Sequence, residues 1–167
     1  MNKVNILIST TIASLLAACS SAPVVLAPVG PAPASGEAAF GEGTLKVYTA
    51  TETHEIGEDT YYYPHTGYEI YAEDGKPLHY VANHFGDMDD APMTVRLPGG
   101  RYTIRAQADG CGRVTVPVVI RAGQLTRVNL EAWGRKRKPV TDESTVVRLP
   151  NGYVAGWRAM EPGVPKS

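Results

Sequence analysis

The chain has 167 residues, 43% hydrophobic and 20% charged, which allows one globular core and leaves little room for a second. Its formal net charge of -1 argues against a general nucleic-acid or anionic-membrane binder, because such proteins need excess Lys and Arg to displace counterions. The charge is unevenly placed: acids dominate residues 37–90, where Lys46 and Lys76 are the cations, and bases dominate residues 96–158.

Residues 1–18 read as a secretory signal: one cation at Lys3, an apolar run, then small residues. Leu16-Ala17-Ala18-Cys19 resembles the lipobox of bacterial lipoproteins. That resemblance implies cleavage before Cys19, acylation of its thiol with palmitate-like chains and usually of its new amino group. Two or three acyl chains anchor stably where one is marginal. Ser20 after the cysteine favours the outer membrane, periplasmic or surface face, by resemblance to lipoprotein sorting rules. The expected location is the cell envelope.

Residues 19–43, rich in Pro, Ala, Gly and Ser, read as the lipidated cysteine and a linker without sustained periodicity. Extended at roughly 3 Å per residue, such a tether reaches about 70 Å. Residues 44–132 read as one β domain. Thr44 to Thr51 is its first strand. His54 to Thr66 loses the alternation and reads as a long excursion. Gly67 to Glu73 and Pro77 to Asn83 form a hairpin around Asp74-Gly75, two residues that tolerate positive φ. In it Tyr68, Ile70 and Ala72 share the face assigned to the core, as do Leu78, Tyr80 and Ala82.

From Thr94 to Leu130 apolar residues recur at every second position through four runs, each cut by a glycine-bearing turn. Met93, Val95 and Leu97 share one parity, then Tyr102, Ile104, Ala106 and Ala108, then Val114, Val116, Val118 and Ile120, and last Thr126, Val128 and Leu130. Period two places each set on one strand face, and the short turns predict an antiparallel meander. Pro117 cannot donate to a ladder, which predicts an edge strand or a bulge there. Residues 133–167 hold the basic run Arg135 to Lys138 and a hairpin around Asn151-Gly152, which either extends the sheet or docks as a tail.

The series Val95-Arg-Leu-Pro-Gly-Gly-Arg-Tyr-Thr-Ile104, Ala108-Asp109-Gly110 and Ala122-Gly123-Gln124 resembles the closing half of carboxypeptidase-regulatory-like and PEGA-type domains. The resemblance implies an all-β fold, a small antiparallel prealbumin-like, Ig-like sandwich of about seven strands. It also implies a spacer, stabilising or binding role without catalysis. Cys111 departs from the pattern, since relatives commonly place an aromatic residue there.

With Cys19 acylated, Cys111 has no partner for an internal disulfide. It is then either a buried apolar residue or an exposed thiol. The four histidines and the acids near them show no His-x-x-x-His or His-Glu-x-x-His spacing, and Asp87-x-Asp89-Asp90 lacks the glycine and glutamate of a calcium loop. No catalytic residue, metal site or cofactor is assigned. Tyr61, Tyr63 and Tyr71 are candidate ligand-binding residues: exposed rings beside acids suit sugars, and the alternative is plain packing. Arg101 and Arg105 project from a polar strand face, either as a cationic stripe for anionic groups or as cross-strand partners of Glu69 and Glu73. The expected function is a membrane-anchored structural or protein-interaction module, the alternative a glycan- or peptidoglycan-binding lipoprotein. Expected partners are the membrane through the anchor, and envelope proteins or glycan.

Overall fold

A computed structural model describes residues 23–33, 41–56, 60–85, 90–131, 140 and 142–160. The signal segment, Cys19, Arg135 to Lys138, and Asp87 and Asp89 of the acidic loop lie outside the described residues. The described chain is all-β, with one 3₁₀ turn at Glu143–Thr145 capped by the Asp142 side chain.

The strands are β1 (Val24–Val25), β2 (Val29–Gly30), β3 (Glu42–Tyr48), β4 (His54–Ile56), β5 (Thr60–Tyr62), β6 (Tyr68–Ala72) and β7 (Pro77–Val81). They continue with β8 (Thr94–Pro98), β9 (Gly100–Ala108), β10 (Gly112–Ile120), β11 (Leu125–Asn129), β12 (Val146–Arg148) and β13 (Val154–Arg158). A large sheet runs β12-β13-β2-β10-β9-β6-β7, with β1 also on β10. A small sheet runs β11-β3-β8, and β4 pairs β5 in a separate hairpin. The two main sheets share one core: Val29, Ile70, Ile104, Val114, Val116 and Val118 come from the large one, and Leu45, Val47 and Val128 from the small one. Joining the inner faces of two half-buried sheets in this way makes a β-sandwich.

The alternating faces fall as the periodicity predicts. Ile104, Ala106 and Ala108, Val114 to Ile120 at every second residue, and Thr126, Val128 and Leu130 are all buried. Four other expectations need correction. First, the runs from Thr94 to Leu130 are not a meander. β9 pairs β10 through nine antiparallel residue pairs, but β8 pairs β3 antiparallel and β11 pairs β3 in parallel, so the chain changes sheet on both sides of the β9/β10 hairpin. Period two assigns a residue to a face, not to a neighbouring strand. Backbone bonds hold both crossings against the start of β3: Gly99 N–H donates to the Gly41 carbonyl (3.2 Å) and Gly123 N–H to that of Glu42 (2.9 Å).

Second, part of the expected linker is sheet. β1 lies parallel to β10 at Val24 and Val25, and β2 lies between β10 and β13. Leu26 and Val29 are buried in the core. Strands of two residues, separated by prolines, leave no periodic trace. Third, β10 is an interior strand and its register with β9 is unbroken. The Thr115 carbonyl accepts from Leu26 N–H (2.9 Å), and period two turns Pro117 to that same side. There it faces the chain between β1 and β2, where no ladder partner is required.

Fourth, the excursion after β3 contains the β4/β5 hairpin, and the face assignment of β7 is inverted. Gly75 (φ +82°) closes the β6/β7 turn as expected. A bulge between Ile70 and Tyr71 then shifts the register by one residue, pairing Ile70 with His79 and Tyr68 with Val81. One residue of slip moves every following side chain to the opposite face. Val81 is therefore inside, and Leu78 and Tyr80 are outside. The carboxy-terminal hairpin β12/β13 joins the large sheet through β2.

Candidate functional site

A polar brace sets the position of the candidate surface. Asn83, fully buried and at φ +71°, follows β7. Its Nδ2 donates to the Val47 carbonyl (3.0 Å), to Thr49 Oγ1 (3.0 Å) and to the Thr66 carbonyl (3.3 Å). Its Oδ1 accepts from Met93 N–H (3.1 Å). Asn is among the few non-glycine residues that enter the left-handed region at small cost. Beside it His65, also buried, has Nδ1 2.8 Å from the Thr49 carbonyl. A carbonyl only accepts, so Nδ1 carries the hydrogen and Nε2 is left facing the Glu131 carboxylate at 3.7 Å. The ring also meets Tyr48 edge-on, with centroids 5.6 Å apart.

Against this brace lies a cleft of about 280 Å³, with Glu52, His54, His65, Thr66, Tyr80 and His84 among its lining residues. His54 Nε2 is 3.7 Å from Glu52. Thr66 Oγ1 and His84 Nδ1 are both buried and have no hydrogen-bond partner. Tyr80 lies over Gly67: a Cβ there would overlap the tyrosine hydroxyl and stand 3.0 Å from the Val81 carbonyl, so the Tyr80 ring would have to move aside. Among the described residues no group of three or more His, Cys, Asp or Glu side chains is placed to hold a metal ion.

Outside the cleft, β7 ends the large sheet. Leu78 is 52% exposed, Tyr80 65%, and Phe85, just beyond the strand, 81%. Leu78 and Tyr80 stand two residues apart on the outer face of this terminal strand, and Phe85 follows it by four residues.

The tyrosines and arginines singled out from sequence do not meet in one place. Tyr71 and Arg105 do come together: the guanidinium lies 4.4 Å from the ring centroid, and Nη1 donates to the Tyr71 hydroxyl at 3.3 Å. That hydroxyl donates in turn to Glu69 (3.0 Å), and Glu69 stands opposite Arg105 in the β6/β9 register. Arg105 therefore reaches Glu69 through the Tyr71 hydroxyl, with its guanidinium on the Tyr71 ring. Arg101 is exposed further along β9. Tyr61 is exposed on β5, and Tyr63 follows β5 with its N–H donating to Asp90 Oδ1 at 2.6 Å. Cys111 is half-buried in the β9/β10 turn, packed against the core.

Sequence reading missed Leu78, Tyr80, Phe85, Glu52 and Thr66. The first two were assigned inward because the bulge has no residue signature. Glu52 precedes the excursion and Thr66 ends it, and nothing periodic marks their direction.

Together these features define a small all-β sandwich with a polar cleft and an apolar sheet edge at one end. Comparison with family models, with curated proteins and with solved structures finds no match to the chain.

Proposed function

We propose that the protein is a lipid-anchored lipoprotein of the bacterial cell envelope whose β-sandwich is a non-catalytic protein-interaction module that docks a partner along β7. The observation that carries this is the exposure of Leu78, Tyr80 and Phe85 at the end of the large sheet. A terminal strand offers unpaired backbone groups, and an extended segment of a partner that pairs with them also covers the alternate apolar side chains. The resemblance of residues 95–130 to carboxypeptidase-regulatory-like domains supports the same role.

The lipobox supports anchoring at Cys19, and Ser20 supports the outer membrane. Val24, the first residue paired to the sheet, follows Cys19 by five residues. At roughly 3.6 Å per extended residue an anchored domain stands within about 18 Å of the bilayer. The module then works at the membrane surface and does not range through the periplasm. Among the described residues no helix is long and apolar enough to cross a membrane.

Three histidines and a glutamate do converge in the cleft, which is what a catalytic reading requires. Against that reading, the aliphatic hydroxyl among the named lining residues, Thr66 Oγ1, bonds to none of the rings. A nucleophile needs a base within hydrogen-bond reach.

The test compares envelope fractions carrying wild type, Leu78→Lys/Phe85→Lys and Cys19→Ala. The expected result is a discrete partner recovered with wild type and lost from the folded double variant, and release of Cys19→Ala from the membrane fraction. Recovery of the same partner by the double variant would refute docking at β7.

A further inference from the structure

The outer face of the small sheet is cationic. On β3 the Leu45 and Val47 side chains are buried, so Lys46 and Tyr48 point away from the core. The same alternation turns Arg96 outward on β8, and Leu125 and Arg127 outward on β11. The register sets Arg127 directly beside Lys46, with Thr94 on the other side of Lys46, and sets Arg96 beside Thr44, the next outward residue of β3. Glu42, at the start of β3, is the one acid of this face among the described residues, and none of the three cations holds an ion pair among them. Like charges side by side in a sheet destabilise it. The Tyr48 ring offsets part of that cost, with the Lys46 ammonium 5.6 Å and the Arg127 guanidinium 5.5 Å from its centre. A net charge of -1 for the chain averages this face with the acids of residues 37–90.

We propose that this face rests on the bilayer and binds the phosphate groups of anionic phospholipids. The inference rests on anchoring at Cys19, because the short tether is what selects lipid among anions. In a domain held within about 18 Å of the membrane, a face need bind only weakly, since the headgroups stand at high effective concentration. β1, where the tether joins, pairs β10 on the side away from β9, as β2 does, and β11 lies against β2. The anchored end therefore enters on the flank that carries the small sheet. β7 lies three strands beyond β10 on the other side, about 14 Å at the usual strand spacing, and stays open to a protein partner.

A sheet face is broad and shallow, which suits a plane of headgroups better than a single enclosed anion. Leu125, 41% exposed, and Tyr48 add the apolar and amphipathic side chains that settle at headgroup level. Each Lys or Arg close to an anionic surface contributes about fivefold to binding.

The experiment places a photoreactive side chain at Thr94, exposed beside Lys46, or at Leu78 on β7, in the acylated protein reconstituted in vesicles. The vesicles are phosphatidylcholine alone, or three parts phosphatidylcholine to one part phosphatidylglycerol. Mass spectrometry identifies lipid adducts and reads the acylation of Cys19. The expected result is a lipid adduct at Thr94 in the anionic vesicles, well above that at Leu78. It should fall at least fivefold in phosphatidylcholine, in high salt and in Arg96→Gln/Arg127→Gln. Neither guanidinium of that variant holds a hydrogen bond or ion pair among the described residues, so the variant should melt as wild type. Leu78→Lys/Phe85→Lys, which tests partner docking, should leave the Thr94 adduct intact. The proposal is overturned by equal lipid adducts at Thr94 and Leu78, by none at Thr94, or by an adduct indifferent to charge. An adduct abolished by inorganic phosphate, but not by chloride of equal ionic strength, would make the face a phosphate site and overturn it too. Lack of acyl groups on Cys19 would refute the anchoring instead. The unacylated chain is then mixed with excess anionic vesicles, and absence of the Thr94 adduct there overturns the lipid face as well.

Discussion

Replacing Asn83 by alanine removes the group that ties β3, the Thr66 segment and the start of β8 together. The variant withdraws the Nδ2 donors from the Val47 carbonyl, Thr49 Oγ1 and the Thr66 carbonyl, and withdraws Oδ1 from Met93 N–H. Net loss of a typical hydrogen bond is about 1 kcal/mol, and a buried group left unsatisfied costs about 1–3 kcal/mol. Alanine at φ +71° adds roughly 1 kcal/mol of left-handed strain. Shared donors at Nδ2 keep these costs from adding fully, and the expected loss is about 4 kcal/mol. That is a large part of the roughly 5–15 kcal/mol available to a domain. Urea unfolding of the full chain in detergent measures it. Asn83→Gly serves as the control, recovering about 1 kcal/mol of strain and none of the bonds. A loss below about 1 kcal/mol for Asn83→Ala would refute the brace.

Three further predictions concern the core and the crossings. Tyr68 is buried with its hydroxyl unpaired, and burial pushes that phenol well above its ordinary value near 10. The folded state then holds a proton that the unfolded chain releases above pH 10, so stability is full below that pH and falls as pH rises, by about 1.4 kcal/mol per unit. Tyr68→Phe should equal or exceed wild type at neutral pH and lose this alkaline dependence in pH-resolved melting curves. Gly43→Ala places a Cβ against the Arg121 carbonyl and 2.7 Å from Ile120 Cγ2, where backbone must move. A melting temperature lower by about 10 °C or failure to fold is expected, with wild-type melting as the contrary result. Thr126→Val removes the buried hydroxyl that donates to the Val119 carbonyl (2.8 Å) across the β10/β11 crossing, and should cost about 1–2 kcal/mol in urea unfolding.

The strand faces were legible because each strand of a sandwich is buried on one side, and that constraint is written residue by residue. Val114, Val116, Val118 and Ile120 announce their face without reference to anything else. Which sheet a strand joins depends on partners far away in sequence, so the transfers of β8 and β11 to β3 left no local mark. The same holds for Val24 to Gly30: its place beside β10 is a tertiary fact, imposed on a segment whose composition reads as a tether. The candidate site was the least legible part. A one-residue bulge in β6/β7 turned Leu78 and Tyr80 outward, and the cleft gathers Glu52, Thr66 and His84 from separate segments of irregular or weakly periodic chain. Tyr71 and Arg105, singled out separately from sequence as candidate ligand-binding residues, contact each other.

The most direct test of the proposed docking at β7 is photo-crosslinking in cells, with a photoreactive side chain placed in turn at Leu78, at Phe85 and at Arg127. Arg127 is exposed on the small sheet and serves as the control. Positions 78 and 85 should give one discrete envelope-protein adduct and position 127 none, and the adduct should be lost when Cys19→Ala releases the protein from the membrane. The same adduct from all three positions, or none from 78 and 85, would contradict it.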